Sequence, residues 1–418
     1  MLRCMQVADS ICANHMPKSL ITSMLPLRDQ LHTAYQGKTV LITGHTGFKG
    51  SWLCEWLLML GARVVGLALP PVTEPALFDQ LNLSERIEHH ILDIRDGQAM
   101  QQIVLDVAPD YLFHLAAQSL VRRSYGAPVD TYTTNVMGTV HVLEALRVLD
   151  ARYRDEGCLC AAVLVTTDKC YENREWLHAY REEDPLGGYD PYSASKAACE
   201  IAIKSYRCSF FNSQTVADRL RISVSSARAG NVIGGGDWAE DRIVPDCIRH
   251  LQCGKTIIVR NPTATRPWQH VLEPLHGYLL LGMHQYQALM SADSVALSIY
   301  GDAFNFGPEL ASNRPVRHLV ESVLKHWPGE WEREAEQTAN PHEAGKLNLA
   351  WDKAFHRLRW LPRWGFDDTV RHTMAWYRAV GESPEHAKDC VRSDILAFSE
   401  GAPTVPQFTV EDPHAVFY

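Results

Sequence analysis

The sequence predicts an α/β protein, a doubly wound parallel sheet followed by a smaller, mixed C-terminal lobe. Three observations carry this. Short apolar runs alternate with helical patterns from Lys38 to about Arg228. One run ends in a glycine-rich turn that opens a helix, Gly44-His45-Thr46-Gly47-Phe48-Lys49-Gly50. Beyond Arg228 the texture changes to loops rich in Gly, Pro, Trp and Arg. Strands alternating with helices imply parallel strands covered on both faces, and apolar runs without polar alternation agree with that burial.

The elements follow in order. Residues 38–43 (KTVLIT) form a β-branched run closed by glycine, a buried strand. Residues 47–60 have helical spacing, with Trp52, Leu53, Trp56, Leu57 and Leu60 on one side. Strands are expected at 63–67, 88–92, 111–115 and 160–166, and helices at 96–107, 129–149 and 192–211. Ligands of such sheets sit beyond the carboxyl ends of the strands. That singles out Gly44, Asp93, Ala116, Thr167 and Arg228. No internal repeat is visible.

The glycine turn has the mechanics of a pyrophosphate cradle. One glycine permits the tight turn, one lets the backbone approach the phosphates, and one allows close helix–strand packing. The following helix start offers free N–H groups and partial positive charge. The turn therefore predicts a Rossmann-type domain binding a nicotinamide dinucleotide. The second strand ends Leu67-Ala68-Leu69-Pro70 without an acid for the adenosine ribose. The choice between NAD and its 2′-phosphate is thus open at that strand; Asp93 and Ile94 are placed at the adenine edge. The 418 residues divide into an N-terminal extension (1–36), the dinucleotide-binding domain (37–227), a lobe over 228–384 with segments returning to the first domain, and a polar tail (385–418). The extension reads as loosely ordered, or as an upstream start ahead of Met16 or Met24.

Composition excludes several classes. Hydrophobic residues make up 46% and charged residues 21%, and the net charge is −9. That balance argues against a nucleic-acid coat, which needs concentrated Lys and Arg. The best apolar stretch, 52–70, contains Glu55 and Arg63, so no membrane span is expected. Eleven cysteines without a CxxC pair point to reduced thiols in the cytoplasm and to no metal site. Cys158 and Cys160 read as small core residues of a strand.

Tyr192 and Lys196 stand four residues apart, on one face of a helix. A phenol with a usual pKa of about 10 is a poor base at neutral pH. A neighbouring ammonium and a positively charged nicotinamide are expected to lower it. Thr166-Thr167-Asp168-Lys169 closes the fifth strand. There a hydroxyl can share a proton with Tyr192, and an acid and an amine lie beside it.

The order of these elements, TGxxGxxG, TTDK, then YxxxK, resembles the extended short-chain dehydrogenase/reductases. Longer stretches, residues 44–52, 168–176, 187–193, 228–238 and 266–274, look like the CDP-glucose 4,6-dehydratase family, and the resemblance spans roughly residues 37 to 380. It implies a hydro-lyase using NAD in deoxysugar and surface-polysaccharide synthesis, acting as a homodimer or a dimer of dimers. The implied reaction is internal: oxidation at carbon 4 of CDP-glucose, loss of water across carbons 5 and 6, and hydride return to carbon 6. Carried onto this chain, Tyr192 and Thr167 handle the carbon-4 hydroxyl proton, and Lys196 holds the nicotinamide ribose. Asp168 is the expected acid and Lys169 the expected base of the elimination; related dTDP-glucose dehydratases carry Glu where Lys169 stands. Cofactor contacts are expected from Gly44, His45, Thr46, Gly47, Phe48, Lys49, Asp93, Ile94, Leu115, Ala116, Ala117, Tyr192 and Lys196. Substrate contacts are expected from Gln118, Ser119, Asn231, Arg242, Arg266 and His342. Arg228 and Arg260 are weaker choices, each open to a structural ion-pair role, and Asn135 is expected to brace the sheet's end. The competing readings are a sugar-nucleotide epimerase, which needs Tyr192 and Lys196 but not Asp168 and Lys169, a dehydratase acting on a different nucleotide sugar, and a cofactor-loaded binding or sensor protein without turnover.

Overall fold

The computed structural model describes residues 26–212, 220–334 and 346–401. Seven strands form the main sheet: β1 (Thr39–Thr43), β2 (Arg63–Ala68), β3 (Glu88–Ile91), β4 (Tyr111–His114), β5 (Cys160–Val165), β6 (Ile222–Ala229) and β7 (Ala303–Phe306). Their order is β7-β6-β5-β4-β1-β2-β3, and every pairing is parallel. The order reverses at β1 and β4, which opens a crevice beyond their carboxyl ends. β7 comes from the C-terminal half and pairs with β6, so that half returns a strand to the sheet.

Two apolar layers cover the faces. One is built on Leu41, Val65, Leu112 and Leu164, which pack with Val142, Leu146 and Leu149. The other is built on Val40, Ile42, Phe113 and Val163, with Trp52, Trp56, Leu275 and Leu279. This is the two-faced burial that the nonalternating strands require.

Helix α1 (Leu27–Tyr35) precedes β1. Leu31 and Tyr35 are fully buried, and the Tyr35 hydroxyl donates to the Leu279 carbonyl at 2.7 Å. The last part of the expected loose extension is therefore a packed helix. Leu27 and Ala34 pack beside them, but so short a stretch of helical spacing after an unpatterned segment is a weak signal. Helix α2 (Phe48–Met59) is buried all round from Gly50 to Leu57. Its outer side is covered by a C-terminal helix, Ala387–Glu400, which buries Val391, Ile395 and Phe398. The polar tail expected from 385 onward is thus helical to Glu400. An ion-pair cluster ties it down. The buried Glu55 carboxylate accepts from Arg86 at 2.6 and 2.9 Å and from Arg392 at 2.6 Å.

The long helix expected over 129–149 is divided. Pro128–Tyr132 leads into a wider turn, Thr133–Met137, and then into Gly138–Glu156. Such π turns re-aim a side chain inside a helix, and this one carries Asn135. The catalytic-end helix spans Pro191–Ser209, started by Pro191 and capped by Asp190, whose carboxylate accepts from Ser193 N at 2.9 Å. Cys158 is exposed and precedes β5, whereas Cys160 is buried within it. The C-terminal lobe is mixed, with three two-stranded pieces beside helices such as Ile243–Gln252 and Val316–His326.

Candidate active site

A cleft of about 1060 Å³ opens at the carboxyl end of the sheet, between it and the lobe. It gathers most of the residues singled out by sequence: Gly44, Thr46, Gly47, Phe48, Lys49, Asp93, Ile94, Leu115, Ala116, Ala117, Gln118, Ser119, Thr167, Lys169, Tyr192, Lys196, Asn231, Arg242 and Arg266. His342 lies outside the described residues.

The three glycines of the turn do different work. Gly44 has φ +79°, and a Cβ there would sit 2.7 Å from the Ala116 nitrogen. A Cβ on Gly50 would collide with the Gly44 carbonyl. Both are demanded by the fold. Gly47 has φ −79°, and the nearest atom to its Cβ would be the Gly44 oxygen at 3.4 Å. Its surroundings within the protein tolerate a methyl, so its bare backbone answers to what enters the cleft. That is the fit a diphosphate at a helix start requires.

Three sequence-derived assignments are corrected. His45 does not line the cleft. Its ring is fully buried in the space left by Gly66, edge-on to Phe78, with Nε2 2.7 Å from His89 Nδ1. Burial and His89 push its pKa down to about 4, so it is neutral. Asp168 is also buried behind the wall, beside Gly230, and accepts from the Thr167 hydroxyl at 2.9 Å. The 3₁₀ turn Asp168–Cys170 leaves Lys169, not Asp168, facing the cleft. Arg228 lies within β6 rather than after it. Its guanidinium pairs with Glu200 at 2.8 Å in full burial, which is a structural role.

Thr167 stands beside the Tyr192 phenol and acts on it. Burial raises the phenol above its usual range, opposite to the expected lowering, because a buried phenolate lacks solvation; Thr167 and Arg242 pull it back. Lys196 Nζ donates to the Val165 carbonyl at 3.3 Å, and burial lowers its pKa. Lys49 is pushed down to about 8 by burial, then by Arg242 and Lys196, against the pull of Asp168. The cleft thus concentrates amines in poorly solvated surroundings, a setting that favours anionic ligands.

The frame behind these groups is neutral and hydrogen-bonded. His114, held near pKa 3 by burial, joins Thr43 at 2.7 Å and Thr139 at 3.2 Å. Asn135 accepts from Gln118 N at 2.8 Å and donates to Gln118 O at 3.0 Å and Ser195 Oγ at 2.9 Å. It braces the sheet's end, as its position in the sequence implied. Sequence reading passed over Arg122, Asp237, Trp238 and Asp241, all on the cleft wall. Asp237 sits inside the GGGDW stretch, and its carboxylate holds Arg242 at 2.8 Å. An acid directly after a glycine run, five residues before an arginine, was the available signal.

This sheet order, with Tyr192 and Lys196 one turn apart beside Thr167, defines a protein of the short-chain dehydrogenase/reductase class. Comparison with known proteins narrows the class. Residues 41–373 match the GDP-mannose 4,6 dehydratase family, and the chain belongs to it. It is 44% identical over 347 residues to a CDP-glucose 4,6-dehydratase of Salmonella typhimurium, covering 82% of this chain and 92% of that one. It is 25% identical over 353 residues to a dTDP-glucose 4,6-dehydratase of Xanthomonas campestris, covering 81% and 93%. Among solved structures, a dTDP-glucose 4,6-dehydratase of Bacillus anthracis in complex with NAD superposes with a TM-score of 0.64 at 19% identity, over 83% of this chain and 98% of that one. A UDP-glucose 4-epimerase of Thermotoga maritima superposes with 0.65 at 19%, over 82% and 99%. At those identities the likeness is one of fold.

Proposed function

We propose that this protein is a hydro-lyase, an NAD-dependent CDP-glucose 4,6-dehydratase that produces CDP-4-keto-6-deoxyglucose for deoxysugar synthesis. The observation that carries this is the meeting of Thr167, Lys169, Tyr192 and Lys196 in one cleft, in a chain 44% identical to a CDP-glucose 4,6-dehydratase. Bound on the glycine turn, NAD supplies a hydride acceptor that returns what it takes. Gly44, Gly47 and Lys49 would hold its diphosphate, and Leu115, Ala116, Ala117 and Lys196 its nicotinamide end.

The chain's own residues handle the protons. Tyr192 takes the proton of the carbon-4 hydroxyl as its own phenol proton passes to the neighbouring Thr167, whose hydroxyl proton goes to the Asp168 carboxylate. Asp168 enters this relay through its contact with Thr167. Lys169 takes the carbon-5 proton that the new ketone acidifies and hands it to the departing carbon-6 hydroxyl, which leaves as water; carbon 5 recovers a proton at the end of the cycle. Arg266, Arg242 and Asn231 hold the nucleotide diphosphate, since a guanidinium fork matches phosphate oxygens. Gln118 and Ser119 face the sugar. Offering CDP-, dTDP-, GDP- and UDP-glucose in parallel tests the assignment: a 4-keto product is expected from CDP-glucose foremost, and unchanged mass with an inverted carbon 4 supports an epimerase instead.

The acting form in this reading is a cytoplasmic homodimer. No helix among the described residues is long and apolar enough to cross a membrane. Val129, Tyr132, Met137 and Ile201 stay exposed on adjoining helices, apolar surface suited to pairing across a two-fold axis. Sedimentation at a single mass of one chain contradicts this.

A further inference from the structure

Among the described residues, two contacts between the sheet side and the lobe on the cleft wall use arginines. Arg242 of the lobe is held by buried Asp237 and reaches Ser119 at 3.5 Å. The second contact is centred on a carboxylate. Asp241 Oδ1 lies 2.7 Å from Arg260 Nη1 and 3.7 Å from Arg122 Nη1. Arg122 belongs to the sheet side, on the short helix Val121–Gly126, while Asp241 and Arg260 belong to the lobe. All three line the cleft.

The two carboxylates differ in one respect. Asp237 is buried and its side chain is 5% exposed, so Arg242 is fixed in place. The Asp241 side chain is 44% exposed, on a residue with φ +60°. Exposed ion pairs are weak and screened by salt, so Asp241 can turn into solvent at little cost. A diphosphate brings at least two negative charges to the same two guanidiniums and bonds them in a fork.

We propose that Arg122 and Arg260 form an anion seat for the nucleotide diphosphate, and that Asp241 is an internal competitor for it that sets how tightly the diphosphate is held. This rests on the nucleotide-sugar reading above. It adds a site on the sheet side, Arg122, and gives Asp241 the role of weakening affinity so that nucleotide product leaves.

The test is calorimetric titration of the full-length protein with CDP and, separately, with inorganic pyrophosphate. In Asp241→Asn, both ligands are expected to bind about 3- to 10-fold more tightly, with a steeper loss of affinity in salt. In Arg122→Gln binding weakens, and in the double variant the gain from Asp241→Asn disappears. Unchanged or weaker binding by Asp241→Asn, at an unchanged melting temperature, overturns the competitor role. Tighter pyrophosphate binding in Asp241→Asn together with no CDP binding by the wild type supports the seat and contradicts the nucleotide-sugar reading. Equal CDP binding by the wild type and all three variants overturns the seat alone.

Discussion

Replacing each glycine of the cradle by alanine separates folding from binding. At Gly44 the φ of +79° is disfavoured for alanine, and the new methyl meets the Ala116 backbone at 2.7 Å. Left-handed backbone costs about 1–2 kcal/mol and overpacking about 1–3 kcal/mol, so Gly44→Ala should lose roughly 2–5 kcal/mol. At roughly 2 °C per kcal/mol for a large domain, the melting temperature falls by roughly 4–10 °C. At Gly47 the methyl meets only the Gly44 oxygen at 3.4 Å, and stability should change by less than about 0.5 kcal/mol. Binding behaves in reverse. A methyl that holds the diphosphate off the backbone removes one charge-assisted hydrogen bond, about 1.5–3 kcal/mol, or roughly 10- to 150-fold in NAD affinity. Thermal denaturation and calorimetric NAD titration measure the two halves. Gly47→Ala with wild-type stability and wild-type NAD affinity would refute the cradle.

Three further outcomes follow from buried charges and the cleft. Lys169→Met should slow dehydration by about 10²- to 10⁴-fold, the usual range for a lost proton-transfer group, while CDP affinity measured by titration stays within a factor of two or so; full-rate dehydration removes Lys169 from the elimination. Glu55→Ala strands Arg86 and Arg392 against α2 and should cost about 3–5 kcal/mol; Arg392→Ala should cost less, since Arg392 is 42% exposed, and equal losses in denaturant unfolding contradict that ranking. Glu273 is buried with its pKa pushed up from 4.5 to about 8, chiefly by desolvation. Between those values the folded chain holds a proton that the unfolded chain has released, so stability falls as pH rises through that window and levels off above 8. Glu273→Gln should flatten this slope and stabilise the protein above pH 8 by on the order of a few kcal/mol; a pH–melting profile parallel to the wild type's contradicts it.

Periodicity and turn chemistry carried the sheet, because parallel strands buried on both faces announce themselves as apolar runs. They also carried the cradle, because a tight turn at a strand end leaves few residue choices. What escaped were facts set by distant packing. α1 is short and fully buries only Leu31 and Tyr35, and α2 looks one-sided until the Ala387–Glu400 helix covers its far face. Glu55 read as a charge interrupting an apolar run, and its arginine partners stand 31 and 337 residues away. His45 has the residue type and place of a cofactor contact, yet the hole beside Gly66 draws its ring inward. Asp168 and Lys169 are adjacent, and only the sense of a 3₁₀ turn decides that Lys169 faces the cleft. Arg122 and Asp241 gained meaning only when the lobe closed over the sheet.

The central claim is an internal redox dehydration, and following one hydrogen tests it most directly. CDP-glucose carrying deuterium on carbon 4 is incubated with the protein and NAD, and the product is examined by mass spectrometry and NMR. An internal hydride transfer gives a product lighter by one water, with the deuterium on the carbon-6 methyl group. A product of unchanged mass, or one lacking water whose deuterium has gone to solvent, would contradict it.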